Sequence, residues 1–268
     1  LGDVYKRQDT NRIEFMNTYI DNLTFEEAKE KVDQLIKEDG YHYVVTPNSD
    51  IVVKMQDDLE LKNICDNADL ILTDGQIVVK ISKYLGNPIK ERVCMTDFVW
   101  HVFDLAVEKG YGVFLFGGKE EALRKATENI KKKVPELKIV DSYSPPFGFE
   151  NDEEKLKEAN ERIKNSDADI LIVFLGCPKQ EKFIAANKDK YQIPISITMG
   201  GCVDFLAGGV KRAPKWMQNV GLEWFYRFLQ EPRRMFRRYF VDDIKIFGMA
   251  RKYRNCLLYT SDAADDLT

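Results

Sequence analysis

Residues 112–119 read Gly-Val-Phe-Leu-Phe-Gly-Gly-Lys: an uninterrupted apolar run that stops at two glycines and gives way to a helical pattern. The same sentence recurs along the chain. Tyr43–Val45 stops at Thr46-Pro47-Asn48, Leu70–Leu72 at Thr73-Asp74-Gly75, and Ile139–Val140 at Ser142–Pro146. Ile170–Phe174 stops at Leu175-Gly176-Cys177-Pro178, and Ile195–Thr198 at Gly200-Gly201. Helical segments separate these runs, and the first opens with a capping box, Thr24-Phe25-Glu26-Glu27, and reaches about Lys37. Short strands that are apolar throughout, rather than alternating, belong to a parallel sheet covered on both faces. The pattern predicts an α/β fold, a doubly wound Rossmann-like parallel sheet of about six strands with a helical C-terminal appendage.

The 268 residues, 44% hydrophobic, suffice for one large core. No segment has the roughly 18 apolar residues of a membrane span, and no signal peptide is recognisable. Five scattered cysteines with no CxxC and only two histidines predict reduced thiols and no zinc site. The boundaries expected are an α/β domain over 9–210 and a basic, aromatic appendage over 211–254. The flanks 1–8 and 255–268 are similar to translated adaptor read-through and are set aside as non-native. The net charge of −4 is unevenly placed: residues 211–254 hold twelve Lys/Arg against four Asp/Glu, +8, leaving −12 elsewhere. An anionic partner is expected at that end.

Ligands of open α/β sheets bind beyond the carboxyl ends of the strands. The residues to weigh are therefore Thr46, Asn48, Asp74, Gly117, Gly118, Gly176, Gln180, Gly200 and Gly201. Turn chemistry explains any one of them; the set, drawn from several strands, points to a site. Gly117-Gly118-Lys119 at a helix start suits a phosphate. It is neither GxGxxG nor a P-loop, which disfavours nicotinamide-linked and P-loop readings. Asp74 follows a buried strand and precedes a glycine, as a base for an attacking hydroxyl would; its alternative is to cap the next helix. Asp204 lies just past the last glycine turn, and Asp97 suits a helix start. The one acidic pair beside a strand, Asp167 and Asp169, precedes it, so no metal site is expected. Arg92 and the arginines after Lys211 would then meet a leaving diphosphate.

Pro214 suits a helix start, which puts Trp216, Val220 and Trp224 on one face, packed against the domain. Pro232 ends that helix and starts another. On ideal helical spacing Arg233, Arg234, Arg237 and Arg238 share one arc, and Met235, Phe236, Tyr239 and Phe240 the opposite one. A basic face against an aromatic face fits a membrane surface; the alternative is a helix packed on the domain with its arginines in water. Without an accompanying nucleic-acid motif, no nucleic-acid partner is expected.

The stretch GGCVDFLAGGVKRAPKWMQNVGLEWFYRFLQEPRRMFRRY, with TPNSDIV, TDG, Glu91-Arg92-Val93, FLFGG and LGCPKQEKF in this order, resembles the WecG/TagA/CpsF family of bacterial glycosyltransferases. The likeness runs from about Phe15 to Arg254. It implies an inverting transferase that moves a sugar, most often N-acetylmannosamine, from a UDP-sugar to undecaprenyl-pyrophosphate-linked N-acetylglucosamine. The setting it implies is the cytoplasmic face of the membrane, in teichoic acid or other surface polysaccharide synthesis. By resemblance Asp74 is the base, and Thr46, Asn48, Arg92 and Gln180 are the other catalytic positions. By the same resemblance Arg227, Arg234 and Arg237 contact the diphosphate and the appendage docks on the membrane; the residues expected at that contact are Arg233, Phe236, Arg238, Tyr239 and Phe240. No cofactor or metal is implied, and the oligomeric state is left open, a homo-oligomer included. Met95, where the family often has a small residue, and MGGCVDF at the glycine turn depart from its pattern and bear on pocket shape. The rival reading is a non-catalytic, membrane-peripheral nucleotide-sugar-binding protein.

Overall fold

A computed structural model describes residues 12–265; the side chains of Asn219, Arg234 and 256–265 lie outside the description, as does the flank 1–8. The elements are β1 (Arg12–Phe15), β2 (Thr18–Asp21), α1 (Phe25–Lys37), β3 (His42–Val45), α2 (Ser49–Asp57), α3 (Leu59–Asp66) and β4 (Leu70–Ile71). Then come α4 (Gln76–Tyr84), α5 (Met95–Lys109), β5 (Val113–Gly117), α6 (Glu120–Lys133), β6 (Ile139–Tyr143), α7 (Glu153–Lys164), β7 (Ile170–Phe174), α8 (Lys179–Tyr191) and β8 (Ile195–Thr198). The C-terminal part holds α9 (Cys202–Leu206), α10 (Lys215–Asn219), α11 (Glu223–Gln230), α12 (Pro232–Arg237), a π-helical turn (Arg238–Asp242) and α13 (Lys245–Asp265).

Strands β3 to β8 form one six-stranded sheet, ordered β4-β3-β8-β7-β5-β6, with every pairing parallel. Strands β4, β5, β7 and β8 are buried along their whole length, while β6, at the edge, is half-buried. Phe114 and Phe116 of β5 join the core under α2 and α8, while Val113 and Leu115 join the one under α1, α5 and α6. Phe116 stacks on Phe183 at 4.9 Å and meets Phe149 edge-on at 5.7 Å, which locks α8 to the sheet. The capping box at Thr24 is formed: its side chain accepts from the Glu27 amide, and Glu27 accepts from the Thr24 amide at 2.8 Å.

The sequence pattern did not announce the β1–β2 hairpin. Its turn residues Met16 and Asn17 both have positive φ, 50° and 63°. Asn-Gly is the usual signature of such a turn, and here Met16 stands in its first place, its side chain buried in the core. The hairpin is tied to the sheet by Asp21. Its buried carboxylate accepts from Arg12 Nε at 2.7 Å and Nη2 at 2.9 Å, and from the Ile71 amide at 2.7 Å.

In the C-terminal part, the expected continuous helix from Pro214 is split. Gly221, at φ 78°, separates α10 from α11. The tryptophans do not pack against the domain: Trp216 is 62% exposed, and Trp224 packs edge-on against Phe225 and Tyr239, at 5.8 and 5.7 Å. Pro232 does start α12, at its first turn. After Arg237 the backbone turns through π geometry, with the Asp243 amide donating to the Arg238 carbonyl at 2.7 Å. Helix α13 buries Ile246 and Ala250 in the core. Among the described residues no helix is long and apolar enough to cross a membrane.

Replacing Asp21 with Ala leaves the buried Arg12 guanidinium with two backbone carbonyls but no counter-charge, and the buried Ile71 amide without its acceptor. It should cost about 3–5 kcal/mol in urea unfolding. A loss below about 1 kcal/mol would mean that the hairpin is not part of the cooperative unit.

Candidate active site

Loops from the carboxyl ends of β4, β3, β8 and β7, four contiguous strands, meet the C-terminal helices around a cavity of about 380 Å³. Asp74, Thr46, Asn48, Gly200, Gly201 and Gln180 all line it. Thr46 is buried, its Oγ1 3.2 Å from the Thr198 carbonyl, which ties β3 to β8. Asn48 caps α2, its side chain accepting from the Ile51 amide at 3.2 Å. Gln180 Oε1 accepts from the Gly200 amide at 3.0 Å, and its Nε2 donates to Glu181 at 2.9 Å. One Nε2 hydrogen is left for a ligand. Glu181 is buried, which pushes its pKa up against the hydrogen bond from Gln180, and it orients the Gln180 amide.

Asp74 does not cap α4; Gly75 occupies the cap position with no side-chain bond. Asp74 is half-buried and lines the cavity. Burial raises its pKa above the ordinary aspartate value; the positive charge of Arg92 and the Cys94 thiol oppose the shift, and Glu223 adds to it. A carboxylate raised in this way is a better base than a solvated one. Burial likewise pushes the Cys94 thiol up to about 12, so it is present as a neutral donor.

Arg92 lines the same floor and donates through Nη1 to Glu223 Oε2 at 3.0 Å. Glu223 belongs to α11 and accepts at its other oxygen from Arg212 Nε at 3.3 Å. Arg212 also forks onto Asp97 of α5, with Nη2 to Oδ2 at 2.6 Å. Asp97 lies in the first turn of α5 as expected, but its carboxylate is spent on holding the appendage. Arg227 reaches the cavity from α11; a Cβ on Gly201 would sit 3.2 Å from its Nη2, so glycine lets the guanidinium close over the turn.

Several expected residues lie elsewhere. Gly117 and Gly118 do not line the cavity, because β5 stands beyond β7 in the sheet. Their glycine identity answers to packing: at positive φ, a Cβ on Gly117 would lie 2.9 Å from Leu175 and one on Gly118 3.2 Å from Val203. Asp204 is also outside the cavity wall, its carbonyl accepting from the Gly209 and Val210 amides. The Arg237 side chain is 84% exposed and faces away; Arg234 falls on a side chain outside the description. Arg238 and Tyr239, expected at the membrane contact, line the cavity, at the start of the π turn. Arg233, Phe236 and Phe240 are exposed, as expected. The pair Asp167 and Asp169 lies at the far end of the sheet, where Asp169 accepts from the Gly112 amide at 2.7 Å. Among the described residues no group of acidic, His or Cys side chains could hold a metal ion. The departures from the family pattern bear on the pocket directly: Met95, Met199 and Cys202 all line it.

Sequence reasoning passed over Glu223 and Asp243, although each is one of only four acids in a segment of twelve bases. Asp243 is buried at the cavity wall, 3.9 Å from Arg238 Nε, and neither of its oxygens has a hydrogen-bond partner among the described residues. Burial raises its pKa to about 6, with Asp50 adding and Arg238 and Ser49 offsetting only in part.

The family model for the glycosyl transferase WecG/TagA/CpsF family matches residues 13–257. The chain is 32% identical over 192 residues to an N-acetylglucosaminyldiphosphoundecaprenol N-acetyl-beta-D-mannosaminyltransferase of Bacillus spizizenii, covering 72% of each. It is 30% identical over 219 residues to the protein of the same name from Bacillus subtilis, covering 82% of this chain and 80% of the relative. With its Staphylococcus aureus namesake the identity is 25% over 236 residues, 87% and 91% of the two chains.

Because the folded pKa of Asp243 exceeds the ordinary 3.8, its burial has no cost below that value, costs stability as pH rises through about 6, and costs a constant amount above. Asp243→Asn should therefore raise the melting temperature by about 2–4 °C at pH 7.5, about 1 kcal/mol, and leave it unchanged at pH 3.5. An equal shift at both pH values would remove the carboxylate's charge as the cause.

Proposed function

Because the chain belongs to the glycosyl transferase WecG/TagA/CpsF family, we propose that it is an inverting glycosyltransferase. The donor is a UDP-sugar, UDP-N-acetylmannosamine by likeness to the named relatives, and the acceptor is N-acetylglucosamine linked through diphosphate to undecaprenol. The observation that carries this reading is the Asp74 carboxylate at the floor of a cavity walled by Arg92, Arg227 and Arg238. A base and a cationic wall on one cavity are what displacement of a nucleoside diphosphate by a hydroxyl requires.

The acceptor hydroxyl oxygen attacks the anomeric carbon from the face opposite UDP. As the new C–O bond forms, its proton passes to Asp74 and the bond from the anomeric carbon to the diphosphate oxygen breaks. The electron pair leaves with UDP, whose charge meets the guanidinium groups. Gln180 and Thr46 shape the turn at Gly200 against which the sugar lies. With arginines in this role, the transfer needs no divalent ion.

The acceptor is a lipid, so the site must open on a membrane surface. Trp216, Phe225, Leu229, Phe236, Phe240 and Phe247 are all more than 40% exposed on the C-terminal helices, beside exposed Arg233 and Arg237. Apolar rings among cations suit anionic headgroups, and we place the protein at the inner face of the membrane, bound peripherally.

UDP release from a UDP-sugar and a short-chain lipid-diphosphate-GlcNAc acceptor tests the reaction. Asp74→Asn should lose about 10³-fold in turnover while UDP affinity stays within about threefold, and EDTA should leave the wild-type rate intact. A binding protein without transferase activity would release no UDP, and near-normal turnover by the variant would remove Asp74 as base. For the surface, Leu229→Ser with Phe236→Ser should weaken pelleting with anionic liposomes at least about tenfold. Unchanged pelleting would place the membrane contact elsewhere.

A further inference from the structure

Four carboxylates line the cavity, those of Asp50, Asp74, Glu223 and Asp243, and two of them, Asp74 and Glu223, act on Arg92. Asp74 comes from the turn after β4, and Glu223 comes from α11, at the opposite wall. Arg92 is hydrogen-bonded to Glu223 at 3.0 Å and is close enough to Asp74 for the two charges to interact. Glu223 is itself held from behind by Arg212, which is forked onto Asp97 of α5. The segment that delivers Glu223 is closed on itself: the Gln230 side chain accepts from the Lys211 amide at 2.9 Å and donates to the Lys211 carbonyl at 2.8 Å. A surface ion pair needs no such backing, and both members here are mostly buried, with 19% and 22% of their side chains exposed.

We propose that Glu223 is a positioning residue for the transfer step, its carboxylate fixing the Arg92 guanidinium beside Asp74 and adding a negative charge to the floor of the cavity. It acts through Arg92 and through the field at Asp74, and does not touch the reacting atoms. An Arg92 left without Glu223 would turn fully onto Asp74, form a tight ion pair with it and hold the base in its unreactive, fully stabilised anion. Shared between two carboxylates, the guanidinium neutralises Asp74 only in part and keeps N–H groups for the leaving diphosphate. The charged and titratable groups that face Asp74 come from four elements: Arg92 and Cys94 from the segment before α5, Cys202 from α9, Glu223 from α11 and Arg238 from the π turn. Of these Glu223 is the only carboxylate, so its removal has a sign that no other substitution in the set shares.

The inference rests on the transferase reading for its consequence but not for its test. The carboxyl ¹³C resonance of Asp74, assigned by its loss in Asp74→Asn, is titrated in the full chain without substrate. Wild type is compared with Glu223→Gln, which keeps the shape, and Glu223→Asp, which keeps the charge. The midpoint should fall by about half a pH unit or more in Glu223→Gln and return to within about 0.2 units of wild type in Glu223→Asp. Amide hydrogen exchange over residues 211–243 is followed in the same samples. An unmoved midpoint in Glu223→Gln overturns the proposal. So does an equal fall in both variants with lost amide protection, since Glu223 would then serve only to hold the appendage down. UDP release is read alongside: Glu223→Gln should lose about tenfold in kcat with the donor KM within about threefold. If wild type itself releases no UDP, the transferase reading falls, while the Asp74 titration still decides what Glu223 does.

Discussion

The pairing of Arg92 with Glu223 is the joint between the sheet and the helices that roof it. Through Arg212 and Asp97 the joint reaches α5, so the C-terminal segment is fastened by charge as well as by the burial of Ile246 and Ala250. A guanidinium with five donors can serve two carboxylates from different elements in a plane, which an ammonium could not do with the same geometry. Its placement at the floor of the cavity means that seating the roof and arranging the charges around Asp74 are one event. The two long cationic side chains that enter from above, Arg227 and Arg238, are brought in by the same seating.

The cavity is a boundary between two kinds of surface. Below it lie strands whose side chains are buried on both faces and whose turns show glycine, threonine and asparagine to the ligand. Above it lie short helices that keep large apolar side chains exposed, a combination a water-soluble domain does not retain without a use for it. In the proposed reaction a lipid-linked acceptor meets a soluble nucleotide-sugar donor, and a site lying between these two surfaces offers each its own approach. The buried Asp243 pairs with Arg238 at 3.9 Å, which keeps a guanidinium at the cavity wall without a close hydrogen bond between the two.

Much of the architecture was legible in the residues because the signals were local. Continuous apolar runs marked all six strands of the sheet, and the Thr24 capping box marked the first helix. Pro232 announced the break between α11 and α12, since a ring that lacks an N–H can begin a helix but not continue one. The misses have physical causes of their own. The β1–β2 turn hides behind Met16, a residue that pays for its positive φ with a buried side chain. Arg238 and Tyr239 were expected at the membrane contact and line the cavity, because helical spacing gives the angles between side chains and not the way a helix is seated on the domain.

The sequence by itself determined the strands, the direction they share and hence the edge at which a ligand would bind, because burial on both faces and glycine at the strand ends are properties of neighbouring residues. It also carried the family, through motifs that keep their order along the chain. Which of the six strand ends converge was decided only in three dimensions. The insertion of β8 between β3 and β7 draws the turns at Asp74, Thr46, Gly200 and Gln180 together and leaves Gly117 and Gly118 outside. The pairing of Arg92 with Glu223, 131 residues apart, was decided there too. Strand order and long-range ion pairs depend on contacts between distant segments, and no local pattern of residues encodes them.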